Sequence, residues 1–188
     1  MEGIPVIRTP LYPSHDKSGL RRFLNYASFA TSAAFWGPLL VKRADVCYVY
    51  HPPGTIGMPA LALRALRGIP FVYDVQDLWP DTIGATGMMH SARAERLLGK
   101  WLQQVYRRAA HVTVPTPGFK AKLVERGVPA EKITVIYNWC EEAGLEQAEP
   151  DAALAAELGL AGRFNVMFAG TMGLAQAIMA EAGLSFLG

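Results

Sequence analysis

The run Phe71-Val72-Tyr73-Asp74-Val75 passes without a spacer into Gln76-Asp77-Leu78-Trp79-Pro80-Asp81, so a segment built like a buried strand ends in acids, an amide and an indole. An apolar run rich in β-branched and aromatic residues favours a parallel strand covered on both faces. In open parallel sheets ligands sit just beyond the carboxyl ends of the strands. That rule puts Asp74, Gln76, Asp77 and Trp79 at the mouth of a crevice. Pro80 offers no amide hydrogen and disfavours a helical Trp79, so the chain turns there. A polar strand end followed by a turn accounts for any one of these residues. The cluster as a whole points to a site.

The rest of the chain is rich enough in apolar residues to bury a core around such a strand. Of its 188 residues 51% are hydrophobic and 18% charged, with a mean hydropathy of +0.16. This balance excludes disorder and leaves an α/β core or a surface that meets lipid. A net charge of +2 and a pI near 8.6 do not imply a nucleic-acid partner. Cys47 and Cys140 match no zinc or redox spacing. They read as free thiols in a reducing compartment, and no metal site is expected. Met1-Glu2-Gly3 leads straight into Ile4-Pro5-Val6-Ile7 with no basic region before a hydrophobic one. A secretory signal is not indicated, and a cytoplasmic location is expected.

Taken in order, Ile4 to Arg8 reads as a short strand, and the polar loop Leu11 to Gly19 leads to a helix from about Leu20 towards Val41. No charged residue interrupts that helix between Arg22 and Lys42. Its length approaches the roughly 20 residues that cross a bilayer, but Asn25, Ser28, Thr31, Ser32, Gly37 and Pro38 argue against a span. Two readings stay open: a buried helix with solvated ends, or an interfacial helix with basic ends and Trp36 on its apolar side. Asp45 to Tyr50 is the next strand and runs into His51-Pro52-Pro53-Gly54-Thr55; Ile56 to Leu66 is a helix, and the strand Phe71 to Val75 follows. Strand, helix, strand is a right-handed crossover with a parallel sheet. His51 and Asp77 then stand at neighbouring strand ends.

After a loose Gly- and Met-containing connection, Ser91 caps a basic helix, Ala92 to Ala110; a strand His111 to Val114, a helix Phe119 to Arg126 and a strand Lys132 to Ile136 complete the sheet, with Asn138 and Trp139 at its carboxyl end. Residues 140–150 read as an acidic linker. A second α/β unit then opens: helix Asp151 to Leu158, strand Phe164 to Phe168, the loop Ala169-Gly170-Thr171-Met172-Gly173, and a helix from Leu174. Strand, glycine loop and helix N-terminus form the outline of a phosphate cradle, because glycine lets backbone amides approach an anion.

Four ordered motifs carry a resemblance. Tyr48-Val49-Tyr50-His51-Pro52-Pro53, Tyr73 to Pro80, Val135-Ile136-Tyr137-Asn138-Trp139 and Phe168 to Gln176 resemble the family 4 retaining glycosyltransferases, in the branch of amino-sugar transferases that assemble bacterial O-antigen, capsule and colanic acid. The resemblance implies an α/β fold, Rossmann-like, with a parallel sheet and helices on both faces. It implies an acceptor domain over residues 1–139, a linker over 140–150 and the start of a nucleotide-sugar domain over 151–188. Two departures stand out, Thr171 where an Asn is usual and Tyr137 where a Pro is usual. The family's first strand unit and most of its second domain have no counterpart here, so a fragment with little activity of its own is expected.

The implied reaction moves an N-acetylated hexosamine from a nucleotide-sugar, UDP-linked, to a polyprenyl-diphosphate-linked acceptor at the inner membrane surface, with no further cofactor, no metal and no nucleic acid. Asp77, Gln76 and His51 are the implied catalytic group. Gly170, Thr171, Gly173 and Asn138 are the implied donor-binding group. A non-catalytic membrane-associated module and a sugar-nucleotide epimerase of similar fold are the alternatives.

Overall fold

A computed structural model describes residues 3–14, 19–85, 91–139, 151–162 and 164–165. The chain divides into two compact units, Met1–Tyr137 and Asn138–Gly188. The first is built on a sheet of β1 (Cys47–His51), β2 (Phe71–Val75), β3 (His111–Val114) and β4 (Ile133–Val135), in the order β1-β2-β3-β4. Every pairing is parallel, with His51 opposite Val75, Asp74 opposite Thr113 and Val114 opposite Val135. The sequence leads to this result directly: short runs of Val, Ile, Phe and Tyr alternate with segments of helical period.

The connecting helices are α2 (Gly57–Arg67), entered through a 3-10 turn at Gly54–Ile56, α4 (Ala92–Arg108) and α5 (Pro117–Glu125). Between β2 and α4 lies a short helix, α3 (Asp81–Ala85), and before β1 lies the long α1 (Gly19–Leu40). Side chains recruited by sequence end these helices cleanly. Ser91 Oγ accepts from Ala94 N, Thr116 Oγ1 accepts from Phe119 N, and Gly68 closes α2 at φ 66°.

Strands taken in spatial order and joined by right-handed crossovers put α2, α4 and α5 on one face of the sheet. The core lies there: Val49, Phe71, Tyr73, Val75, Val112, Val114 and Ile133 pack against Ala60, Leu102, Val105, Tyr106 and Leu123. On the opposite face Tyr48 and Tyr50 are 61% and 58% exposed. The parallel Rossmann-like sheet is as expected; among the described residues its helices cover one face.

Three elements differ from the expectations. Ile4 to Arg8 forms no strand: Pro5 lacks an amide hydrogen, and Ile4, Val6 and Ile7 are exposed. Residues 81–85, expected to be a loose connection, make the turn of α3, because Thr82 N donates to the Leu78 carbonyl and Asp81 occupies a helix start, where an acid is favoured. The reading of α1 as a buried helix does not hold either. Of its residues only Ala30 and Pro38 are buried. No helix among the described residues is long and apolar enough to cross a membrane.

In the second unit α6 (Ala152–Glu157) is capped by Asp151, whose Oδ1 accepts from Ala153 N and Leu154 N, and it closes at Gly159 with φ 67°. The expected linker at 140–150, most of the expected strand Phe164 to Phe168 and the helix from Leu174 lie outside the described residues.

Candidate functional site

The carboxyl ends of β1 and β2 lie side by side, and the chain leaving each of them is held in place by the other. Gln76 N donates to the His51 carbonyl at 3.1 Å, which extends the ladder one step past β2. Alternation along β2 then sends consecutive residues to opposite faces. Asp74 is buried on the face away from the helices; its carboxylate accepts from Thr113 Oγ1 at 2.8 Å and from Gln76 Nε2 at 3.0 and 3.1 Å. The Gln76 amide is therefore anchored to a buried acid.

Asp77 is the centre of a second network. Its Oδ2 accepts from Trp79 Nε1 at 3.0 Å and its Oδ1 from Thr82 Oγ1 at 2.5 Å. The carboxylate stays half-buried. Two donors occupy two of its roughly four lone-pair directions, which leaves it able to accept from a hydroxyl presented at the rim. Trp79 is held from three sides. Its ring stands edge-on to His51 at 5.4 Å, lies 6.4 Å from the Tyr26 ring of α1, and its carbonyl accepts from Arg126 Nη1 at 2.8 Å. Arg126 also pairs with Asp81 at 2.6 Å.

His51 sits beneath this arrangement and is fully buried. Neither ring nitrogen has a hydrogen-bond partner, and the ring packs between Tyr73 and Trp79. Burial pushes its pKa down to about 4, against the opposing influence of Asp77 and Asp74. A neutral ring in this position supports Trp79 from below and does not reach the surface. Gly54 makes the packing possible. A Cβ there would lie 3.1 Å from both Trp79 Cε3 and Leu102 Cδ2. Its carbonyl accepts from Trp101 Nε1 at 3.0 Å, which ties the Pro-Pro-Gly turn to α4.

The structure thus brings His51, Gln76 and Asp77 to neighbouring strand ends, in one cluster with Trp79. Asn138 is exposed and begins the second compact unit. Gly170, Thr171 and Gly173 lie outside the described residues. Sequence reasoning missed Thr82, Thr113, Arg126 and Tyr26. A hydroxyl five residues after Asp77, just past a proline turn, was a signal for Thr82. The others come from elements distant in sequence and left none. A groove of about 510 Å³ also lies behind Trp79, between α4 and Arg126, with Asp81, Lys100 and Tyr106 in its walls. Asp77 is not among the residues that line it, and the rim carries the better-built constellation.

Among the described residues no group of His, Cys, Asp and Glu could hold a metal ion. The rim offers an anchored amide and a fixed carboxylate, the latter held in place by the buried Trp79 indole, which is 9% exposed. That set suits the orientation of a hydroxylated ligand, the carboxylate accepting hydroxyl protons.

Comparison with known proteins bears on which chemistry this rim serves. The chain is 28% identical over 187 residues to the putative colanic acid biosynthesis glycosyl transferase WcaI of Escherichia coli strain K12, a match covering 92% of this chain and 44% of that one. It spans less than half the length of that curated relative. Among solved structures, HepE of Anabaena in complex with UDP-glucose superimposes with a TM-score of 0.50 at 19% identity, covering 77% of this chain and 35% of that one. The same protein in complex with UDP gives a TM-score of 0.50 at 20% identity, covering 79% and 36%. These two show a shared fold. Residues 1–139, which contain the whole sheet and the rim, match the glycosyl transferase 4-like domain, and the chain belongs to that family.

Proposed function

We propose that this chain is the acceptor-binding part of a retaining glycosyltransferase of surface polysaccharide synthesis, which moves an N-acetylated hexosamine from a UDP-linked sugar to a polyprenyl-diphosphate-linked acceptor on the cytoplasmic side of the inner membrane. One observation carries the reading. In a family member, a carboxylate at the carboxyl end of a central parallel strand is held at both oxygens by Trp79 and Thr82, with lone pairs left for a hydroxyl. The names of the relatives support it: one is assigned to colanic acid synthesis, and another was crystallised with UDP-glucose.

In this reading the Asp77 carboxylate orients the acceptor hydroxyl, Trp79 holds that carboxylate through its Nε1, and Gln76 and His51 fix the geometry from beneath. Gly170, Thr171 and Gly173 cradle the diphosphate of the donor, and Asn138 joins the two domains. Fixed positioning and electrostatic stabilisation of the departing diphosphate supply most of the rate in such a reaction. The departing phosphate itself takes the acceptor proton, so no protein nucleophile is required. No further cofactor is invoked.

The test is radiolabel transfer from UDP-N-acetylhexosamine to a lipid-linked acceptor. The 188-residue chain alone should transfer no label. The chain extended to the length of its relatives should do so, and Asp77→Ala in the extended chain should lower kcat by about 10² to 10³, a loss on the scale of removing one oriented polar group in an active site. Epimerised donor with no transfer would replace this reading with the epimerase. Neither product would leave a binding module.

A further inference from the structure

We propose that Arg126 is a positioning residue for the transfer reaction: from the end of α5 it holds the turn from Trp79 to Asp81, and through Trp79 it sets the direction in which Asp77 presents its carboxylate. The guanidinium reaches across 47 residues of sequence to donate from Nη1 to the Trp79 carbonyl at 2.8 Å, and across 45 to donate from Nη2 to Asp81 Oδ2 at 2.6 Å. Its planar fork therefore grips the turn on both sides of Pro80. The Asp81 side chain is 64% exposed against 23% for Arg126. An ion pair to so exposed a partner contributes little, so the bond to the Trp79 carbonyl is the half that fixes the turn.

The turn needs such a clamp because it has few bonds of its own. Pro80 offers no amide hydrogen, and the backbone bond that follows it, from Thr82 N to the Leu78 carbonyl, is long at 3.3 Å. The groups that hold the Asp77 carboxylate, Trp79 Nε1 on Oδ2 and Thr82 Oγ1 on Oδ1, flank that same turn. A displaced turn moves both donors, and the carboxylate moves with them.

Arg126 itself stands on a rigid mount. Gly127 N donates to the Val124 carbonyl at 2.8 Å and Val128 N to the Leu123 carbonyl at 3.0 Å, so α5 closes tightly, with Gly127 at φ 83°. Gln103 Nε2 of α4 donates to the Arg126 carbonyl. At the other end the Trp79 ring is 9% exposed and packs edge-on to His51. An indole fixed by its ring and by its own carbonyl can aim Nε1 in one direction only. Arg126 thus acts on Asp77 from a distance, as a supporting group that locks one which meets the substrate. This deepens the function proposed above and rests on that reading for the reaction concerned.

The experiment has two arms. In the 188-residue chain the indole N–H resonance of Trp79 is assigned in a nitrogen–proton NMR spectrum by its loss in Trp79→Phe. Arg126→Ala should shift that resonance and speed its exchange with solvent, while the Trp36 indole stays in place. Lys122→Gln, which removes the exposed pair with Glu125 on the same helix, should leave it unmoved. In the chain extended to the length of its relatives, Arg126→Ala should lower kcat by about tenfold to a hundredfold with the KM for the UDP-sugar unchanged, the scale of a small misplacement of a reacting group. Arg126→Lys, which replaces the fork with a single ammonium, should recover part of the loss. In an Asp77→Ala background, Arg126→Ala should lower kcat by less than about twofold, because the group it acts through is gone. A contribution to stability alone would lower activity by the same factor in both backgrounds. Circular dichroism and the urea midpoint check the fold, and Arg126→Lys carries both arms if the alanine variant does not fold. An extended parent that transfers no sugar overturns the transferase reading and this role with it. An active parent with an unmoved Trp79 indole, an unchanged kcat or equal losses in the two backgrounds overturns the role of Arg126 alone.

Discussion

The chemistry of His51 departs from what its residue type suggests. The residue is fully buried, and neither nitrogen has a hydrogen-bond partner. Its pKa falls from 6.5 to about 4 because burial disfavours the imidazolium. A lowered folded value means that the unfolded chain takes up the proton first. The stabilisation is therefore fully present above pH 6.5 and is lost as pH falls through the folded pKa near 4. The loss should reach about 3 kcal/mol. Urea denaturation across that window should show the slope, and His51→Phe should flatten it. A His51 C2 proton that titrates near 6.5 in NMR would contradict the assignment. Asp77 gives a second prediction at this scale. Asp77→Ala leaves the Trp79 Nε1 donor without its acceptor, while Thr82 Oγ1 keeps the Leu78 carbonyl at 3.2 Å. It should cost about 1–3 kcal/mol in urea denaturation, and Asp77→Asn, which keeps one acceptor oxygen, should cost less. That the acids belonged to a strand end was legible in the sequence, since Pro80 and the apolar run are local signals. That Asp74 is paired with Thr113, 39 residues away, was not, because the register of β2 on β3 sets that contact.

Between elements, packing separates two glycines that look alike in the sequence. Gly57 opens α2 against α4, and a Cβ there would lie 2.5 Å from Val105 Cγ2 and 3.0 Å from its Cγ1. Val105 is β-branched and fully buried, so it cannot swing aside. Gly57→Ala should destabilise by about 1–3 kcal/mol, and Val105→Ala should recover part of the loss. Gly99, inside α4, meets nothing within 4 Å. Gly99→Ala should stabilise by about 0.5–1 kcal/mol, the ordinary helix preference. Thermal or urea unfolding of the three variants checks both signs. Helical period and capping residues made α2, α4 and α5 legible to within a few residues. Neither glycine could be ranked that way, because the contact of α2 with α4 is set by the sheet. The strand expected at Ile4 to Arg8 fails for a related reason. Local apolar residues favour extension, but a strand needs a neighbour to pair with, and Pro5 removes a donor from this one.

At the scale of the molecule, the run Phe71 to Val75 called for a parallel strand covered on both faces, yet the described helices cover one. The sheet tolerates this because the open face is polar where it is tightest. Asp74 and Thr113 are each 4% exposed and bond to one another, and Gln76 completes the set. The covered face supplies the stability. Among the described residues every member of the core cluster, from Val49 to Ile133, lies within the first compact unit, Met1–Tyr137. Burial of apolar area scales with stabilisation, so that unit should hold together without help from residues after 139. A chain ended after Trp139 should therefore unfold in urea in one transition with the midpoint of the full chain. Its slope should fall only in proportion to the surface removed. A lower midpoint would mean that the second unit contributes to the core of the first. An unchanged midpoint would make residues 1–139, the span that matches the family, a domain in its own right.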